Sequence, residues 1–134
     1  MRVLIATHGK MASGVKNMLG LFLDNSGIET IDAYVDEHDY TEDIIRFIQG
    51  VGDEKAFIFT DMIGGSVNQK VVALNNKENV KIISGFNISL LMEILLSKPE
   101  NDDEIENAIA QARDQMQLIK LASVEEETED SFLD

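Results

Sequence analysis

Residues 2–9 read Arg-Val-Leu-Ile-Ala-Thr-His-Gly, a short branched apolar run that ends abruptly in polar and small residues. Val3–Ala6 shows no alternation of apolar and polar positions, which suits a strand covered on both faces in a parallel sheet. Met11–Leu23 then has a helical period, with Met11, Val15, Met18, Leu19 and Phe22 on one stripe. A buried strand running straight into an amphipathic helix opens a strand-helix unit, and the same alternation recurs down the chain.

Asn25-Ser26-Gly27 predicts a turn and Ile28–Val35 a second strand, with Ile31, Ala33 and Val35 on a shared face. Thr41 is placed to cap a helix through Gln49, with Ile44, Ile45 and Ile48 inward and Gly50 just beyond its end. Ala56–Thr60 is a third strand, followed by Asp61-Met62-Ile63-Gly64-Gly65, with Ser66 as the N-cap of a helix to about Leu74. Val80–Ser84 is a fourth strand, and Asn87 or Ser89 starts a helix that stops before Pro99. The last helix begins near Asn101 to Asp103, where acidic residues complement the positive helix N-terminus. Ile105, Ile109, Ala112, Met116 and Ile119 recur along it at helical spacing, and Leu118–Val124 has room for a short final strand. This order predicts an α/β fold: one doubly wound domain with a mostly parallel, four-stranded sheet. Residues 1–124 form the domain, and 125–134 an acidic C-terminal tail.

The 134 residues suit one domain, and 44% hydrophobic content supplies an ordinary core. The methionines fall mostly on inward faces and read as core filling. The chain has no cysteine, which excludes disulfides, thiolate nucleophiles and cysteine-based zinc sites. The apolar run at the start is too short for a signal peptide, and no stretch approaches the roughly 20 apolar residues of a membrane span. A cytoplasmic location is therefore expected, with no membrane insertion. A net charge of −14 argues against nucleic acid and against an anionic membrane surface. Much of that excess is the solvated tail, with Glu125, Glu126, Glu127, Glu129, Asp130 and Asp134.

In an open parallel sheet, ligands bind beyond the carboxyl ends of the strands, near the point where strand order reverses. The residues after the first strand are Thr7, His8, Gly9 and Lys10; after the third, Asp61, Gly64, Gly65 and Ser66; after the fourth, Gly85, Phe86 and Asn87. His8 is the strongest candidate. Imidazole is a nucleophile for phosphorus, and its second nitrogen can be oriented by a carboxylate, which Asp61 is placed to provide. Gly64-Gly65-Ser66 suits close approach of an anion to a helix N-terminus, although the same triplet also serves as a plain turn and cap. His38 lies in the polar connection Asp36-Glu37-His38-Asp39 and reads as solvated, and no ligand spacing recommends a metal. Ser66 lacks the Gly-x-Ser-x-Gly elbow of a hydrolase nucleophile.

Ile5-Ala6-Thr7-His8-Gly9 resembles the opening of mannose-family enzyme IIA domains of the sugar phosphotransferase system. Phe59-Thr60-Asp61-Met62-Ile63-Gly64-Gly65-Ser66 resembles that family's second motif, and Ser84-Gly85-Phe86-Asn87-Ile88-Ser89-Leu90-Leu91-Met92-Glu93 its third. Val67 and Ser89 stand where the family often has proline, and Gln69 where it has an asparagine, with Asn68 adjacent. The resemblance implies a phosphohistidine at His8, formed through Nε2 with Asp61 on Nδ1. Backbone N–H groups of Gly64 to Ser66 and the hydroxyls of Thr7 and Ser66 would support the phosphoryl oxygens, without metal or cofactor. It also implies a histidine-containing phosphocarrier protein as donor, a separate enzyme IIB as acceptor, and a membrane permease beyond it. A homodimer is implied too, with an antiparallel strand near the C-terminus, at Leu118–Val124, exchanged between subunits.

Three other readings use the same residues. The phosphotransfer subunit of a bacterial dihydroxyacetone kinase resembles this fold and also uses an N-terminal histidine. A receiver domain would be phosphorylated on Asp61, but it needs Mg²⁺ on an acidic pair after the first strand, where Thr7-His8 stands. A non-catalytic module with a structural His8 is the third.

Overall fold

Four parallel strands form one sheet: β1 (Arg2–His8), β2 (Ile28–Ala33), β3 (Ala56–Thr60) and β4 (Val80–Ser84), in the order β2-β1-β3-β4. The computed structural model describes residues 1–121. The acidic tail and positions 122–124 of the expected final strand lie outside the described residues. Positions 118–120 carry no regular secondary structure.

Among the described residues five helices cover the sheet: α1 (Met11–Leu19), α2 (Thr41–Val51), α3 (Ser66–Leu74), α4 (Ile88–Ser97) and α5 (Asp102–Arg113). Strand side chains alternate between faces. Val3, Ile5, Phe57 and Phe59 pack with α1, α4 and α5, whereas Leu4, Ala6, Ala56 and Ile58 pack with α2 and α3. The sheet is thus doubly wound. From β1 the chain goes to one side to make β2, then crosses back over β1 to make β3, so the strand order reverses between β1 and β3. The loops leaving those two strands diverge above their carboxyl ends. Among the described residues, no helix is long and apolar enough to cross a membrane.

Several element ends differ from the sequence expectation, each for a local reason. Helix α1 stops at Leu19, and Phe22 is 64% exposed instead of lying on the inward stripe. Asn25 Nδ2 donates to the Lys16 carbonyl at 2.8 Å, and a Cβ on Gly20 would sit 2.6 Å from that nitrogen. Gly20 and the Asn25 amide together end the helix. Strand β2 stops at Ala33, because Tyr34 adopts φ +67° and turns the chain, leaving Val35 exposed.

Helix α2 begins at Thr41 without a side-chain cap and continues past Gly50 to Val51, and Gly52, at φ +62°, follows it. Gly50 makes room for the Arg2 guanidinium, which would meet a Cβ at 2.8 Å and which lies over the Phe47 ring. Phe47, rather than Ile45, joins Ile44 and Ile48 in the core. Helix α3 takes Gly65 as its N-cap, so Ser66 is its first residue. Helix α5 ends at Arg113, and the next three N–H groups bond carbonyls three residues back. Met116 and Ile119 are therefore exposed.

Candidate functional site

His8 ends β1 and Asp61 follows β3, directly at the reversal of strand order. Two hydrogen bonds join them: the His8 backbone N–H donates to Asp61 Oδ2 at 2.9 Å, and the His8 ring nitrogen Nδ1 lies 2.9 Å from the same oxygen. Asp61 Oδ1 accepts from the Met62 N–H at 3.0 Å. Burial pushes the Asp61 carboxyl up, but the His8 backbone and ring bonds, with the ring's charge, outweigh it and hold the carboxyl below its ordinary value. An ionised carboxylate only accepts, so Nδ1 carries the ring proton and Nε2 of the neutral ring presents its lone pair.

That lone pair faces the start of α3. Ser66 Oγ lies 3.1 Å from Nε2 and 2.9 Å from the Tyr34 hydroxyl, which lies 3.2 Å from the Tyr40 hydroxyl. The Tyr34 ring stacks on His8 at 5.3 Å between centroids and 26° between planes. Burial and the hydrogen bond with Tyr34 push the Tyr40 phenol up. Lys70 lies 4.3 Å from the centre of the Tyr40 ring.

The two helix N-termini near His8 differ. That of α1 is occupied: Thr7 Oγ1 accepts from Ala12 N–H at 2.8 Å, and Asp32 accepts from the Ser13 N–H and hydroxyl. That of α3 has no side-chain cap. The Gly65 N–H turns back to the Met62 carbonyl, and Gly64 N–H bonds Asn68 Oδ1. The N–H groups of Ser66, Val67 and Asn68 find no acceptor among the described residues, as expected for a first helical turn. An uncapped helix N-terminus beside an unprotonated imidazole nitrogen favours an anion there.

Of the residues singled out from sequence, the structure brings His8, Asp61, Gly64, Gly65 and Ser66 together. Thr7 is a correction. Adjacent strand residues point to opposite faces, so with His8 toward α3, Thr7 points toward α1, where it is fully buried and caps the helix. Gly64 and Gly65 also shape the turn, with Gly64 at φ +76°, rather than offering their own N–H groups. Asp61 accepts two bonds from His8 on Oδ2 and one from the Met62 N–H on Oδ1. His38 is solvent-exposed and pairs with Asp43 at 2.7 Å.

The family described as "PTS system fructose IIA component" matches residues 2–113, nearly the whole described domain. The chain belongs to the mannose/fructose family of PTS enzyme IIA components. Among solved structures, this IIA component is similar to a candidate phosphoenolpyruvate-dependent sugar PTS permease from Klebsiella pneumoniae, at 29% identity and TM-score 0.77, over 87% of this chain and 89% of that one. It is also similar to the PTS IIA protein associated with the fucose utilization operon of Streptococcus pneumoniae, at 26% identity and TM-score 0.68, over 87% and 91%. The mannose/sorbose specific IIA subunit from Enterococcus faecalis shares the fold at 18% identity and TM-score 0.68, over 90% and 95%. No curated protein matches the chain significantly.

The sequence reading of this IIA component passed over Tyr34 and named Asn68 without giving it a role. Tyr34 would have been found by inspecting the end of the second strand as well as the other three. Asn68 sits between the inward Val67 and Val71, and is only 8% exposed. Its Nδ2 donates to Thr60 Oγ1 at 3.0 Å, and its Oδ1 accepts from Gly64 N–H at 3.1 Å, which ties the end of β3 to the glycine turn. Asn68→Ala leaves the buried Thr60 hydroxyl without this bond and frees the Gly64 N–H, and should lower unfolding stability by about 1–3 kcal/mol. Urea titration checks this: an unchanged midpoint would mean that the turn is held by something else.

Proposed function

We propose that His8 carries a phosphoryl group between proteins in sugar phosphotransfer, accepting it from a histidine-containing phosphocarrier protein and passing it to an enzyme IIB component. One observation carries the reading: a single imidazole has its Nδ1 against a carboxylate and its Nε2 facing the uncapped start of a helix. The first contact fixes the tautomer, and the second marks where an anion is welcome.

In the forward step, the Nε2 lone pair attacks the phosphorus in line with the donor's P–N bond. The new N–P bond forms as the old one breaks, and that electron pair returns to the donor's imidazole. The His8 ring keeps its Nδ1 proton and gains positive charge, which Asp61 offsets. The Ser66 hydroxyl and the first-turn N–H groups of α3 are placed for the phosphoryl oxygens. Such loose transition states need chiefly positioning and electrostatic support. Transfer to an acceptor histidine reverses these events. By family, the chain would act as a cytoplasmic homodimer serving a membrane permease.

The test combines pure protein with phosphoenolpyruvate, enzyme I and the phosphocarrier, then weighs the intact chain by mass spectrometry. A carrier-dependent gain of one phosphoryl group, labile in acid, is the expected result. No gain with active carriers would sink the reading. The acceptor arm, with enzyme IIB in one sample and a dihydroxyacetone-kinase subunit pair in another, separates the two phosphohistidine readings.

A further inference from the structure

Tyr34 has no task in the transfer step as written, yet it is held in a costly way beside the reacting nitrogen. Its φ of +67° lies in the left-handed region, which a residue with a side chain adopts only at a cost. That turn takes the chain off β2 and lays the Tyr34 ring against the His8 imidazole, while the residue remains 59% exposed.

The hydrogen bonds here have a forced direction. Asp61 accepts from Nδ1–H, so Nε2 of the neutral ring can only accept, and the Ser66 hydroxyl must donate to it. With its one proton committed, Ser66 Oγ accepts from the Tyr34 hydroxyl. Tyr34 then accepts from Tyr40, the more buried phenol. Without the Tyr34 hydroxyl, Ser66 still meets Nε2 as an acceptor but loses the donor that anchors its Oγ on the other side, so its rotor is free to swing off the His8 nitrogen.

The geometry points to Tyr34 as a positioning residue for phosphoryl transfer, acting through Ser66 by keeping its hydroxyl proton aimed at whatever occupies Nε2 of His8. The inference rests on the phosphocarrier reading. Before transfer the proton meets the lone pair; afterwards it meets a phosphoryl oxygen, and the bond from Tyr34 to Ser66 is unchanged in both. No proton leaves the chain of hydroxyls. The stacked ring adds a second effect, since an aromatic face is favourable beside an imidazole that gains positive charge.

The experiment measures transfer from the phosphorylated carrier to wild type, Tyr34→Phe, Ser66→Ala and the double variant. Tyr34→Phe keeps the ring and should lower kcat about five- to tenfold, the worth of one hydrogen bond, with KM unchanged. Ser66→Ala should lose at least as much, and adding Tyr34→Phe to it should cost nothing more. In parallel, the His8 Cε1–H resonance should keep its ring-current shift in Tyr34→Phe and lose it in Tyr34→Leu, a readout that needs no phosphoryl donor. A wild-type rate in Tyr34→Phe, a change in KM alone, or losses that multiply with Ser66→Ala would each overturn the role of Tyr34 while leaving the phosphocarrier reading standing. Wild-type protein that takes up no phosphoryl group would overturn that reading, and the role of Tyr34 with it.

Discussion

His8→Ala is expected to take up no phosphoryl group at any carrier concentration. The reason is geometric as well as chemical. The neutral ring offers one unprotonated nitrogen, and the neighbouring groups within reach of it are hydroxyls, at Ser66 and Tyr34, which are poor nucleophiles without a base. His38 is no substitute, because it lies in the connection after β2 and pairs with Asp43. The variant should remain folded. His8 stands at the last position of β1, its side chain is about a third exposed, and its strand partners pair through the backbone. Intact-mass spectrometry with the full donor chain reads the result, with circular dichroism as the control for folding. A phosphorylated, acid-labile His8→Ala would move the acceptor to another residue.

Asp61→Asn should slow transfer by about 10- to 100-fold, which is the rate equivalent of losing a hydrogen bond to a charged group. The amide is a poor replacement on both sides. Asp61 accepts two bonds from His8 on one oxygen and one from Met62 N–H on the other. An amide oxygen turned to His8 brings NH₂ against the Met62 N–H, and the opposite flip brings NH₂ against the ring's own proton. The negative charge that offsets the phosphorylated ring is lost either way. Single-turnover transfer from the phosphorylated carrier measures this, and an unchanged rate would remove Asp61 from the mechanism.

The same substitution has a signature in stability against pH. The folded Asp61 carboxyl titrates below its unfolded value, so the folded state holds fewer protons across that interval. Its contribution is present above the ordinary carboxylate range and is lost as pH falls through the folded value, below about pH 4. Wild type should therefore lose more stability than Asp61→Asn on acidification through that window.

β1 and β3 were legible because each is a short run too apolar to be anything but covered on both faces, and β2 because Ile31 and Ala33 alternate with polar neighbours. Their parallel order followed from the helices between them, and the rule that ligands gather at the strands' carboxyl ends led to His8, Asp61 and Ser66. Helix ends were less legible, since distant side chains set them. Nothing local to Met11–Leu23 announces that Asn25 takes the Lys16 carbonyl, and nothing in α2 announces that Arg2 needs the space at Gly50. The misplacement of Thr7 had a different origin. Strand period alone forbids neighbours such as Thr7 and His8 from facing one site, so the information was present and a motif outweighed it. Tyr34 was hidden by reading the second strand two residues too long, which buried a turn residue inside an element.

The two acidic and basic ends of the site ride on the innermost strands of the sheet. β1 is hydrogen-bonded on both edges, β3 likewise, and their side chains are buried on both faces. Amides in such strands exchange with solvent only when the whole domain opens, whereas loops and terminal turns open on their own. The spacing between His8 and Asp61 is thus stored in the part of the molecule that fluctuates least. On the phosphocarrier reading, donor and acceptor would meet a reacting pair whose geometry is the same for both.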